Sequence, residues 1–374
     1  MTTTAPALSA DLRLSSLPQL LLDVEAIEAN IALKEAWAAE HSMVLAPHIK
    51  TTMTREIVQR QLPGAWGVTV ATAAQASLAV GWGARRVLVA NEIVFPPSVA
   101  QLRALLEGHP GLELFCLVDS AAGVKVLAEG FEGADRALNV LVDIGVAGGR
   151  TGVRDADQAG TLAREIRAAG SLRLVGVSAY EGIAPNSRTP ENLEAIDAHC
   201  STARDVFELL RGTFGTDEPL FSVGGSAFQD RAALRLPDGA INVLRSGCYV
   251  IHDHGTYADV SPLPGLRPAA VVRAVVVSVP EEGRAVLGAG KRELAYDAGL
   301  PTLVAHHRDG TTLAGPAGVV VRLFDHHTVV EGDNALRVGD LVDLGISHPC
   351  SVFDRWRTAL AVSGNRTEVW HPQF

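Results

Sequence analysis

From residue 43 onward the chain alternates between two textures: a short apolar, β-prone run, then a longer stretch with helical spacing. The short runs are Ser42–Pro47, Trp66–Val70, Arg86–Ala90, Glu113–Val118, Leu138–Asp143, Arg173–Tyr180, Leu220–Val223 and Ile241–Leu244. Between them lie helical stretches such as Ala73–Val80, Ser98–Leu106, Ala121–Ala128, Ala156–Ala168 and Pro190–Leu210. Eight strands alternating with helices over roughly 200 residues predict an α/β fold, a closed parallel (β/α)8 barrel of TIM type, with an open doubly wound sheet as the alternative. Ahead of it, residues 1–17 read as a loose lead-in rich in Ser, Thr and Ala. Pro18–Leu22 is a short apolar run, and Asp23 reads as the N-cap of a helix to about His41. After about Thr256 the pattern changes to short β-runs split by Gly, Pro and Asp: Val271–Val279, Ala285–Gly288, Gly318–Leu323, Thr328–Val330 and Leu341–Leu344. The expected organisation is therefore a lead-in and helix over 1–41, a barrel over 42–256 and a β-rich C-terminal domain over 257–374.

Composition narrows the function classes. With 374 residues and 47% hydrophobic content, the chain can bury a large core and a smaller second one. A formal charge of −10, with Asp and Glu spread along the chain, argues against nucleic acid as the main partner. No apolar run is long enough to span a bilayer, and the N-terminus has neither a basic start nor an apolar signal core. A cytoplasmic location is the expectation. The four cysteines, Cys116, Cys200, Cys248 and Cys350, are far apart and form no CxxC pair, which suits a reducing compartment.

The polar and glycine residues gather where strands hand over to helices, the rim at which barrels keep their chemistry. Lys50, in LAPHIKTTMT, follows the run Met43–Ala46 and precedes an expected helix from Thr51 to Gln61, so it can point into a cleft. Gly224-Gly225-Ser226 after Leu220–Val223 offers backbone N–H groups and a hydroxyl as a phosphate seat. Ser246-Gly247 after the next strand offers a second set. In a barrel, the last two strands are the usual place for a phosphate, which points to a phosphorylated cofactor. Asp143–Gly152, DIGVAGGRTG, lacks the Gly-Lys-Ser/Thr ending of a P-loop. Its Arg150 can bring a fixed cation to an anionic oxygen, or pair with a nearby carboxylate. In Ser347-His348-Pro349-Cys350, an imidazole and a thiol two residues apart can ligate one metal, and that donor pair favours zinc. The competing reading is a buried cysteine beside a satisfied histidine. The pairs His252/His254, His306/His307 and His326/His327 are candidate further ligands.

Taken in order, these motifs resemble the pyridoxal-phosphate enzymes of the alanine-racemase-like fold (fold type III), in the D-serine dehydratase and D-threonine aldolase branch. PHIKTT at Pro47–Thr52 is similar to that branch's Schiff-base lysine motif, which usually reads PHxKTH followed by a basic residue; Thr52 and Met53 stand at those last two positions. That departure fits a side branch labelled amino acid deaminase, as does FDRWR at Phe353–Arg357. DIGVAGGRTGV resembles a DxGxxRTGV turn with two extra residues. GGS at Gly224–Ser226 and RSGCYV at Arg245–Val250 resemble phosphate-binding turns, GAGKRELAYDAG at Gly288–Gly299 a C-terminal stretch of the family, and SHPC its metal site.

The resemblance implies roles. Lys50 would hold the cofactor as an imine and act as base at Cα, with His48 beside the cofactor. Arg150 would sit by the phenolic oxygen, and Tyr180 against the ring or its nitrogen. Gly224, Gly225, Ser226, Ser246, Gly247 and Cys248 would seat the phosphate, mainly through backbone N–H groups. His348 and Cys350 would bind a divalent metal, zinc first and manganese or magnesium as alternatives, to act on the substrate's β-hydroxyl. Such a site implies a small 3-hydroxy-D-amino acid as substrate and a homodimer as the assembly. In this branch aldolases tend to carry Asp as the second metal ligand and dehydratases Cys, so Cys350 favours dehydration to a 2-oxo acid and ammonia. Aldol cleavage to glycine and an aldehyde is the runner-up. A non-catalytic pyridoxal-phosphate carrier fits less well, because carriers generally consist of the barrel alone.

Overall fold

The computed structural model describes residues 16–313, 318–333 and 335–374. Most of the expected lead-in (residues 1–15) lies outside them. Eight parallel strands form one sheet: β2 (Val44–Leu45), β3 (Val68–Val70), β4 (Arg86–Glu92), β5 (Glu113–Val118), β6 (Leu138–Ile144), β7 (Leu172–Ala179), β8 (Leu220–Val223) and β9 (Ile241–Leu244). From β3 to β9 each pairs with its neighbour in chain order, and β9 returns to pair with β2. The two ends of the row, β2 and β3, are joined by Trp66 N–H to Leu45 O (2.8 Å), Thr69 N–H to Pro47 O (2.8 Å) and the Thr69 hydroxyl to Ala46 O (2.7 Å). The row therefore curls into the expected barrel.

Strand periodicity fills it from both sides. Ala46, Leu88, Phe115, Leu117, Leu141, Val175, Leu220 and Val243 pack together as one cluster, while alternate residues such as Val87, Val89, Cys116, Val140, Val142 and Phe221 pack in the larger core with the helices. The side chains within the barrel pack it solid, so a ligand must sit at a rim. The helices start where their caps stand: Asp23 Oδ1 accepts from Ala26 N–H at the start of α1 (Val24–Glu40), and Asp155 Oδ1 from Gln158 N–H (2.8 Å).

Two expectations are corrected. Pro18–Leu22, expected as an apolar run outside both domains, falls almost wholly in β1 (Gln19–Asp23) of the C-terminal sheet, antiparallel to β10 (Ala270–Glu281) and parallel to β17 (Ala359–Ser363). The helix expected from Thr51 is broken. A 3-10 turn, Ile49–Thr51, ends at a buried Met53 with φ of +39°, and α2 (Arg55–Gln61) starts afterwards. The Met53 carbonyl accepts from Gln373 N–H (2.8 Å), so the chain's end is tied to the lysine segment.

In the C-terminal sheet β10 and β1 are central, and β12 (Thr302–Arg308) pairs with β16 (Leu341–Gly345). Arg273 faces Asp343 across β10 and β16 and bonds it with Nε (2.6 Å) and Nη2 (2.8 Å), while His307 reaches Asp343 at 3.0 Å. All three side chains are buried. Burial alone would raise the Asp343 pKa; Arg273 and His307 outweigh it and hold the carboxyl below its usual range.

Candidate active site

A cavity of about 400 Å³ opens at the C-terminal ends of the barrel strands, within the range of small-molecule sites. Lys50 lines it from the 3-10 turn that follows β2. That turn is clamped from the β9 side. His48 N–H donates to Ser246 O (3.2 Å), and Gly247 lies so close that a Cβ there would stand 2.4 Å from His48 O and 2.9 Å from Thr51 Oγ1. Glycine is thus required because two backbones meet, and the meeting sets where Lys50 is rooted. His48 also lines the cavity. Burial, then the charges of Lys50 and Arg245, push its imidazole well below the usual range, so it is neutral.

Gly224, Gly225, Ser226, Gly247 and Cys248 line the same cavity. Gly224 has φ of +92°, a left-handed turn. Two expected phosphate donors are placed otherwise. Gly225 N–H donates to Glu181 Oε1 (2.5 Å), and the Ser246 hydroxyl turns to the back of the turn, onto Gly225 O and Gln229 Oε1. Gln229 in turn accepts from the buried Lys34, whose amine burial holds well below its usual pKa. These residues brace the glycine turns from behind. Arg245 supplies a buried guanidinium on the cavity wall; Nη2 donates to Ala179 O (2.6 Å), and Nε has no partner among the described residues.

Arg150 and Tyr180 stand together at the cavity, the guanidinium 5.1 Å from the ring centroid. Among the described residues no carboxylate comes within ion-pair range of Arg150, which removes the carboxylate-paired reading. Its loop is closed by Gly145 N–H to Val153 O (2.9 Å) and stapled by Arg154, which donates to the carbonyls of Thr151, Gly152 and Arg150 (2.7–2.8 Å). Asp143 at the end of β6 accepts from the Ser178 hydroxyl (3.0 Å) and the Thr151 hydroxyl (3.1 Å). Burial raises its pKa, opposed by Arg245.

His348 and Cys350 reach the cavity from the C-terminal domain, and a third group joins them: the thiol of Cys248. One ligand atom from each lies within 4.8 Å of the others, and the two sulfurs are 3.3 Å apart. Thr51 Oγ1, next to Lys50, is 3.6 Å from Cys350 Sγ. Contact between the thiols favours one thiolate and one thiol, and Cys350, beside His348, ionises first. Burial alone would lower the His348 pKa; Cys350 outweighs it and raises it. None of the expected histidine pairs belongs to this group. His306 and His307 pair with Asp340 and Asp343, His326 with Glu293, and His252 and His254 are held neutral by burial, at about 4. Tyr257, its ring 5.4 Å from His348, completes the wall. Its loop is held by Asp253 Oδ1, which accepts three amide bonds.

Thr51, Arg245 and Tyr257 escaped the sequence reading as site residues. Arg245 directly follows β9 and Thr51 closes the 3-10 turn after β2, signals that could have found them; Tyr257 lies in a short helix, Thr256–Val260, beyond the last barrel strand, with no such signal.

A barrel with this lysine and these turns at its rim, covered by a β-rich domain that brings an imidazole and a thiol, defines an alanine-racemase-like protein. The model for the alanine racemase N-terminal domain matches residues 22–253, and that described as "Putative serine dehydratase domain" matches residues 269–362. The chain belongs to this family, in the branch of the D-serine dehydratases and D-threonine aldolases. It is 28% identical to a D-threonine aldolase of Arthrobacter sp. over 345 residues, 90% of this chain and 86% of the relative. To a D-threo-3-hydroxyaspartate dehydratase of Delftia sp. (strain HT23) it is 30% identical over 289 residues, 75% and 73% of the two chains. The solved D-threonine aldolase from Filomicrobium marinum superposes with a TM-score of 0.82 at 25% identity, covering 98% of each chain.

Proposed function

We propose that the protein is a pyridoxal-phosphate- and metal-dependent lyase of 3-hydroxy-D-amino acids, acting as a dehydratase that yields a 2-oxo acid and ammonia. The observation that carries the reading is one cavity lined by Lys50, by two anion-type turns and by an imidazole–thiol group next door to the lysine. The cradle suits the cofactor: a wall lined by Gly224, Gly225 and Gly247, with a buried cation, Arg245, whose Nε has no partner among the described residues. The donor set suits a thiophilic divalent metal, zinc first. The relatives named above support a 3-hydroxy-D-amino acid as substrate.

Pyridoxal phosphate, when bound, supplies an electron sink for the pair left at Cα, and a bound metal supplies Lewis acidity at the β-oxygen. The chain's own residues do the rest. Lys50 is the group that would carry the cofactor and, once freed, take the Cα proton. Ser226, Gly247 and Cys248 would seat the phosphate, and Arg150, fixed over Tyr180, holds a cation at the cavity. His348 and Cys350 would place the metal where the substrate's hydroxyl departs as water. Loss of the Cα proton and the hydroxyl gives an enamine that takes up water to release ammonia.

The 28% identical D-threonine aldolase favours a second reading, in which the β-hydroxyl proton is removed instead and the Cα–Cβ bond breaks. D-Threonine turnover decides. Ammonia and 2-oxobutyrate, lost with a chelator and in Lys50→Ala, are expected. Glycine and acetaldehyde would overturn dehydration in favour of aldol cleavage.

A further inference from the structure

We propose that Cys248 is a third protein ligand of the metal, so that the centre is two thiolates and one imidazole rather than His348 and Cys350 alone. The inference rests on the reading of His348 and Cys350 as metal ligands. Cys248 comes from a different domain, at the start of the turn after β9, and its thiol is buried against Cys350.

The geometry points to a shared ion. The sulfurs are 3.3 Å apart, well beyond the ~2.05 Å of a disulfide bond and within half an ångström of the ~3.8 Å separation of two thiolates on one tetrahedral zinc at ~2.3 Å. The pair, one thiol buried and the other half-buried, is held only by weak bonds, because S–H is a weak donor and sulfur a weak acceptor; Tyr257 lies against Cys248 and His348 against Cys350. Apart from each other, both are near the Thr51 hydroxyl, at 3.9 and 3.6 Å. His348 completes a set whose three ligand atoms lie within 4.8 Å of one another. Cys248 also opens the turn after β9 that lines the cavity, so one residue would serve twice, its amide at the phosphate and its sulfur at the metal.

Three protein ligands change what the centre does. Two thiolates neutralise a dication and select zinc or cobalt over magnesium and manganese. A tetrahedral ion then keeps one open position, so the substrate is held through one oxygen. The ion would also bridge barrel and C-terminal domain.

The test is the sulfur count at zinc by X-ray absorption on the zinc-loaded holoenzyme, with zinc affinity measured by chelator competition. Two sulfurs per zinc are expected in the wild-type protein and one in Cys248→Ser, with zinc affinity at least about tenfold weaker in the variant. The wild-type count needs no variant, and a thermal melt shows whether Cys248→Ser is folded. One sulfur in both proteins with equal affinity would overturn the third ligand and leave His348 and Cys350 standing. A wild-type protein that takes up no zinc, or keeps its zinc in a His348→Ala/Cys350→Ala variant, would remove the metal reading itself. A Cys248–Cys350 disulfide persisting in the zinc-treated protein, seen by intact mass, would also refute the proposal, making the thiols a redox pair.

Discussion

Gly247→Ala isolates the contact that roots Lys50. The added Cβ would stand 2.4 Å from His48 O and 3.1 Å from His48 Cβ. Ordinary contact begins near 3.5 Å, so the two turns must part by about 1 Å. The obstructing oxygen is backbone, and no flexible side chain can yield. Overpacking of this kind costs about 1–3 kcal/mol. A 1 Å misplacement of a reacting group lowers turnover by about a hundredfold. We expect a lower melting temperature in the cofactor-free protein and about tenfold weaker pyridoxal phosphate binding by absorbance titration, at 1.4 kcal/mol per decade. Gly108→Ala, where a Cβ meets nothing within 4 Å, is the control and should leave both unchanged or slightly raise stability. Wild-type melting and cofactor affinity in Gly247→Ala would refute the clamp. A lower melting temperature with unchanged affinity would show that the contact supports the fold but does not set the lysine.

Other outcomes follow from the same structure. Borohydride reduction followed by intact mass should fix the cofactor to the wild-type protein and leave Lys50→Ala unlabelled; labelling of the variant would assign another lysine. Arg273→Met leaves Asp343 buried with only His307, and should cost about 3–5 kcal/mol of stability; a loss below about 1 kcal/mol in denaturant melts would contradict the buried pair. Glu92 is raised to about 7 by burial, then by Asp143 and Asp119. A raised folded pKa contributes stability that is present below the unfolded value near 4.5 and lost as pH rises through about 7. Glu92→Gln should therefore flatten the fall in melting temperature across that window, and an unchanged slope would place the proton elsewhere.

The barrel was legible because parallel strands buried on both faces are written as unbroken apolar runs, such as ELFCLV and LNVLVDI. The C-terminal sheet was only partly so. Thr302–Arg308 carries two histidines and an arginine, and Arg366–Trp370 is exposed up to its final tryptophan, so their apolar signal is diluted. Arg273 is hidden in a valine run because its partners, Asp343 and His307, come from strands far along the chain. Most residues that line the cavity were legible from motifs at strand ends, and how they bond to one another was not. Cys248 reads as one more residue of an anion turn until the distant SHPC segment is folded onto it.

The placement of β1 also orders the life of the nascent chain. Leu22 pairs with Ala270 and with Ala361, so this strand waits until residue 361 has been made, tens of seconds later at about 5–20 residues per second. During that wait the barrel can close while QLLLD remains without its sheet, an apolar edge open to other chains. Removing residues 19–23 or 359–363 would then wound the same sheet, and a strand made before the whole barrel is among the last to find its place.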